Sequence, residues 1–125
     1  MASNRLAKEI ARIGEHRFEM LTYGPLDGDI YNWTATITGQ PNTKLTGLRF
    51  ELELTFNDRY PFHAPKVRFL RTRNHTTICS DILADAWSPA LTADKLLLSI
   101  CSLLMEGSRF DAEKLSVYSP DRVPA

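Results

Sequence analysis

Between Leu48 and Phe56 the chain alternates without a break. Leu48, Phe50, Leu52, Leu54 and Phe56 take one side, and Arg49, Glu51, Glu53 and Thr55 take the other. Successive side chains of a strand point to opposite faces, so this stretch is predicted to be a strand with one buried and one wet face. Strands of that kind belong to antiparallel sheets. The same period runs through Tyr31, Trp33, Ala35 and Ile37, set against Asn32, Thr34 and Thr36, and Gly39 to Gly47 supplies the turn between the two runs. Val67 and Phe69, flanked by Lys66, Arg68 and Leu70, read as a further short strand. The connections are too short for crossover helices, so the sheet is expected to be an antiparallel meander.

Helical spacing brackets this β region. Leu6, Ile10 and Ile13 recur at intervals of four and three, which predicts a helix over residues 3 to about 16 with Ser3 as its N-cap. Arg5, Lys8, Glu9 and Arg12 fill the rest of that helix and read as solvated charges, the alternative being a basic face offered to a partner. A second helix is expected after Thr92, its cap, with Asp94 favourably placed in the first turn. Its wide apolar face comprises Leu96, Leu97, Ile100, Cys101, Leu103 and Leu104, and Gly107 is a natural stop. Between sheet and helix, the two prolines of Tyr60-Pro61-Phe62-His63-Ala64-Pro65 impose an extended turn, and Phe62 is expected to be exposed there. From Arg71 to Ala90 no periodicity survives, and loops of that length are often functional. Helix, meander, loop, helix is an α+β order.

At 125 residues the chain reads as a single domain over 1–125, large enough to bury a core without disulfide or metal. Its 15 Lys and Arg balance its 15 Asp and Glu. That neutrality argues against nucleic acid and against an electrostatic membrane anchor. No apolar run exceeds Leu96-Leu97-Leu98, and Met1 to Arg5 lacks the apolar stretch of a secretory signal. Two cysteines, Cys79 and Cys101, make no disulfide framework. The expected compartment is therefore the cytoplasm or nucleus, where thiols stay reduced.

Cys101 lies on the apolar face of the second helix and reads as a small buried hydrophobe. Cys79 lies in the irregular loop, in Thr77-Ile78-Cys79-Ser80-Asp81-Ile82-Leu83. His75, Cys79 and Asp81 offer metal-ligand chemistry, but no second Cys/His pair stands at finger spacing. A cysteine hydrolase would need a base beside Cys79, for which His63 and His75 are available. Arg68, Arg71, Arg73 and His75 form a local basic stretch that reads as a solvated strand end. Residue types alone leave the role of Cys79 open.

Ordered motifs supply more. Arg5-Leu6-x-Lys8-Glu9, Trp33-x-Ala35-x-Ile37-x-Gly39, Tyr60-Pro61-Phe62 with Pro65-Lys66-Val67, and Ile78-Cys79-Ser80-Asp81-Ile82-Leu83 follow one another along the chain. Trp87-Ser88-Pro89-Ala90-Leu91-Thr92 and Leu98-Ser99-Ile100-Cys101-Ser102-Leu103-Leu104 complete the series. Over nearly its whole length the chain resembles the ubiquitin-conjugating enzymes, in their small class that consists of the catalytic domain alone. The resemblance implies the α+β UBC fold: an N-terminal helix, a four-stranded antiparallel meander, a long active-site loop and a central helix. It implies that Cys79 accepts ubiquitin, or a ubiquitin-like protein, as a thioester. Asp111 occupies the stretch matching the family's acidic gate to the cysteine, and Asp81 follows the cysteine motif, where it helps hold the loop. Arg5, Lys8, Phe62, Ser88, Pro89 and Ala90 match the surface offered to the activating enzyme and to RING or HECT ligases. Thr22 falls in the first-strand region, where some relatives bind a second ubiquitin non-covalently. No metal or organic cofactor is implied, since ATP is used by the upstream activating enzyme. The expected state is a monomer.

Two departures qualify that expectation. The family carries His-Pro-Asn and several further residues before its cysteine, whereas here His75 is followed by Thr76-Thr77-Ile78 and then Cys79. The family's asparagine is credited with stabilising the developing oxyanion or holding the loop. Losing an oxyanion donor costs on the order of a hundred- to a thousand-fold in other enzymes, so transfer to lysine is expected to suffer more than thioester formation. The family's C-terminal helices are also curtailed, which predicts lower stability or a partner over the apolar surface they cover. The alternative reading is a degenerate member that binds ubiquitin or ligases without carrying ubiquitin.

Overall fold

The computed structural model describes residues 2–15, 18–70, 87–106 and 116–117. Helix α1 (Ala2–Ala11) leads into strands β1 (Leu21–Leu26), β2 (Asp29–Thr38), β3 (Arg49–Thr55) and β4 (Lys66–Leu70), and helix α2 (Ala93–Glu106) follows. The strands pair in the order β1-β2-β3-β4, each antiparallel to the next, as the short connections required.

The alternation read from β2 and β3 is realised. Trp33, Ala35 and Ile37 of β2, and Phe50, Leu52 and Leu54 of β3, point into the core, joined by Val67 and Phe69 of β4. Across the outer face, Arg68 pairs with Glu53 at 2.9 Å and Arg49 with Glu51 at 2.6 Å. Helix α2 closes the inner face with Ala93, Leu96, Leu97, Ile100, Cys101 and Leu104, all buried. Leu103 of the expected apolar face is only partly buried.

Two local features fix the sheet. Asp27 and Gly28 both take positive φ (51° and 79°), the conformation of a tight two-residue hairpin turn between β1 and β2. Gly39 ends β2 where a side chain is impossible, since a Cβ there would lie 1.6 Å from the Leu45 carbonyl oxygen. Its N–H instead bonds the Leu48 carbonyl at 2.8 Å, closing the 39–48 loop.

Helix α1 is shorter than the expected 3–16. Beyond Ala11 the chain tightens into turns, with Arg12 and Ile13 donating to the carbonyls of Glu9 and Ile10 at 3.1 Å. Gly14, poor in a helix interior, follows at once. Ser3 lies within the first turn instead of capping it. Leu6 is fully buried, whereas Ile10 and Ile13 are only partly so. The larger correction is Glu9: expected among the solvated charges, it is buried at 9% exposure.

Candidate functional site

Glu9 organises one end of the molecule. Its Oε2 accepts hydrogen bonds from the Tyr60 hydroxyl at 2.5 Å and from Arg5 Nε at 3.1 Å. Its Oε1 accepts the Ala93 N–H at 2.7 Å. Ala93 is the first residue of α2, so the carboxylate sits where unpaired N–H groups and the helix dipole favour negative charge. Thr92, the expected cap, turns its hydroxyl to the Asp94 carboxylate, and its carbonyl accepts the Leu96 N–H at 3.0 Å. The side-chain acceptor for the helix start thus comes from 84 residues away.

From Arg5 the network continues outward. Its Nη2 donates to the carbonyls of Pro89 at 3.2 Å and Leu91 at 2.9 Å. The turn that carries Ser88, Pro89 and Ala90 also closes on itself: Leu91 N–H bonds the Ser88 carbonyl at 2.9 Å, and Ala90 N–H bonds Ser88 Oγ at 3.1 Å. From Tyr60 a second branch runs through Pro61, whose carbonyl accepts the Trp87 indole N–H at 2.8 Å. The Trp87 and Tyr60 rings lie 5.7 Å apart. Tyr60 in turn packs edge-on to Phe56 at 4.7 Å, and Phe56 against the fully buried Trp33 at 5.0 Å. Burial and the hydrogen bond to Glu9 push the Tyr60 phenol far above its ordinary range, so it stays a donor.

These links assemble most of the residues that the resemblance assigns to partners. Arg5 and Ser88-Pro89-Ala90 are tied directly, and Phe62 projects from the same loop as Tyr60 with 68% of its surface exposed. Ser88, Pro89 and Ala90 are exposed, and so is Lys8, one turn along α1 from Arg5. Arg5 itself is largely occupied inside the protein. Its guanidinium holds the 89–91 turn against α1, which periodicity and charge did not anticipate. Thr22 lies elsewhere, exposed on β1 and paired in register with Thr36.

Cys79, Asp81 and Asp111 lie outside the described residues, as do His75, Arg71, Arg73 and Gly107. Cys101 is buried in α2 at 3% exposure, and burial pushes its thiol up to about 11. That thiol is almost entirely neutral near pH 7 and poorly suited to nucleophilic work. Among the described residues no cluster of His, Cys, Asp or Glu could hold a metal ion, and no helix is long and apolar enough to cross a membrane.

The model of the ubiquitin-conjugating enzyme family matches residues 5–119. The chain belongs to that family. A solved structure of human ubiquitin-conjugating enzyme E2 G1 is similar to it, with 27% sequence identity and a TM-score of 0.71. The similarity covers 86% of this chain and 95% of that one. The motifs that open on Arg5, Trp33, Tyr60, Ile78, Trp87 and Leu98 all fall within the matched stretch.

Proposed function

We propose that this ubiquitin-conjugating family member is an active transferase that carries ubiquitin, or a ubiquitin-like protein, as a thioester on Cys79. The thiolate attacks the carbonyl carbon of the thioester presented by the activating enzyme, whose own cysteine leaves as a thiolate. A thiol suits both halves of the task, being nucleophilic near neutral pH and a good leaving group, with a reference pKa of about 8–9. The acyl group is then attacked by a substrate lysine. Its amine, of reference pKa about 10.4, must first lose a proton, and nearby carboxylates and desolvation favour that. Asp111 is assigned to the gate beside the thioester and Asp81 to the hold on the loop. The exposed set of Lys8, Phe62, Ser88, Pro89 and Ala90, backed by Arg5, receives the activating enzyme and a RING or HECT ligase. The chain works as a monomer in cytoplasm or nucleus.

The observation that carries this reading is the family match over residues 5–119, which contains the Cys79 motif. Support for the docking role comes from the junction that draws Arg5, the Tyr60-Pro61-Phe62 loop and the Ser88-Pro89-Ala90 turn together. One feature favours a second reading, a non-catalytic binder of ubiquitin or ligases. Thr76-Thr77-Ile78 stands before Cys79 where the family has its Pro-Asn.

Incubation with activating enzyme, ATP and ubiquitin, followed by a non-reducing gel, separates the two. The transferase gives a thiol-labile adduct that disappears in Cys79→Ala and persists in Cys101→Ala. Failure to charge with ubiquitin or any common ubiquitin-like protein overturns it in favour of the binder. Charging without discharge to lysine assigns the defect to the residues before Cys79.

A further inference from the structure

We propose that Glu9 is a positioning residue for the ligase-docking surface, holding three separate segments of chain in one arrangement; this rests on the docking role assigned above. The contacts form a closed circuit. Glu9 binds the Tyr60 hydroxyl, Pro61 accepts the Trp87 indole N–H, the chain runs from Trp87 to Leu91, Arg5 grips Pro89 and Leu91, and Arg5 returns to Glu9. The bond from Ala93 N–H ties α2 into the same carboxylate. Phe62 and the Ser88-Pro89-Ala90 turn therefore owe their relative placement to links that all pass through or beside one side chain.

Chemistry explains why that side chain is a carboxylate. Three donors converge on it: a phenol, a guanidinium and a helix-terminal amide. An ionised carboxylate is acceptor-only, with about four lone-pair sites, and takes all three at once. A glutamine offers one carbonyl oxygen and two N–H groups. It can keep the Ala93 bond and turn an N–H to the Tyr60 hydroxyl, which also accepts, but it then presents a donor to the donor-only Arg5 guanidinium. Glu9→Gln is thus close in shape and wrong in polarity.

The exposed groups gain their value from this fixed geometry. A docking surface set before binding spares the partner the cost of ordering it, so loosening it weakens affinity without removing a contact residue. Glu9 and Tyr60 are buried, so their effect reaches a ligase through the segments they hold.

The test measures the affinity of the uncharged full chain for a RING domain that binds the wild type, alongside melting temperature. Glu9→Gln is expected to weaken binding roughly tenfold and Tyr60→Phe a few-fold, the range that loss of a hydrogen bond to a charged group implies. Because Tyr60 acts on the surface through Glu9, the double variant should lose less than the sum of the two single losses. Phe69→Leu, in the core under β4, serves as the control for stability. It should lower the melting temperature and leave affinity within about twofold, as a change remote from the surface does. If Phe69→Leu weakens binding as much as Glu9→Gln at equal loss of melting temperature, Glu9 is merely structural and the inference falls. It falls also if Glu9→Gln binds like the wild type, or if no RING or HECT domain binds the wild-type chain. Thioester formation is scored separately, so a chain that binds but does not charge defeats the transferase reading and leaves this one standing.

Discussion

The two helices meet at Glu9 but are held in opposite ways. Helix α2 is anchored by area: six buried apolar residues, from Ala93 to Leu104, pack against the inner face of the sheet. Helix α1 buries only Ala2, Leu6 and Glu9. Its placement relies on Leu6 and on a few directed bonds from Glu9 and Arg5. Apolar burial is non-directional and tolerates small displacements, whereas hydrogen bonds fix orientation. The helix that only closes the core can rely on the first. The helix that registers the proposed docking surface benefits from the second.

That contrast is open to experiment. The largest effect is expected from Leu97→Ala in α2, a fully buried side chain whose truncation should cost about 3–4 kcal/mol in denaturant unfolding. Ligase affinity should stay unchanged under conditions where the variant is folded. Glu9→Ala should cost less, about 2–3 kcal/mol, by leaving the Tyr60 hydroxyl and the Ala93 N–H without their acceptor. Its larger signature should be in binding, and equal effects of the two variants on affinity would erase the distinction between the helices.

Alkaline pH attacks α2 from within. The folded Cys101 thiol titrates near 11 against an ordinary 9.0, so below pH 9 both states are protonated and its contribution is fully present. As pH rises from 9 towards 11, the unfolded thiol ionises while the folded one stays largely protonated, and stability falls by up to roughly 2 kcal/mol. Tyr23 and Tyr60, also raised, add to the loss above pH 10. Melting curves across this range should show a shallower decline in Cys101→Ala, and an unchanged slope would rule out Cys101 as a source of the decline. The smallest effect on stability is expected from Phe62→Ala, under about 0.5 kcal/mol for so exposed a residue. Ligase-stimulated discharge should nevertheless drop sharply while charging stays nearly intact, and full stimulation would refute the docking role of Phe62.

Where periodicity carried the information, the fold was legible. Phe50, Leu52 and Leu54 face inward as their alternation required, and Leu96, Leu97, Ile100 and Leu104 fill the core side of α2. The hairpin turn at Asp27-Gly28 was also written in the chain, since that dipeptide favours two consecutive positive φ values, but the strand before it lacks clean alternation. Glu9 was not legible from pattern. A glutamate on an amphipathic helix reads as solvated, and the groups that draw it inside lie 51 and 84 residues further on. Arg5 is hidden for the same reason: its type suggests an outward charge, and only the fold brings the Pro89 and Leu91 carbonyls to it. Local pattern reports burial along one element. Polar junctions between elements depend on where remote segments arrive.

The two indoles stand in very different places. Trp33 is wholly enclosed, with its N–H on the Ile30 carbonyl at 2.8 Å. Trp87 is half-buried at the rim of the proposed docking end, its N–H spent on the loop that carries Phe62. The chain thereby contains two optical reporters of separate events. Emission from Trp33 should follow unfolding of the sheet, and emission from Trp87 should respond when a protein settles on Phe62. Trp33→Phe isolates the second signal, so docking can be followed in that folded variant without an attached dye.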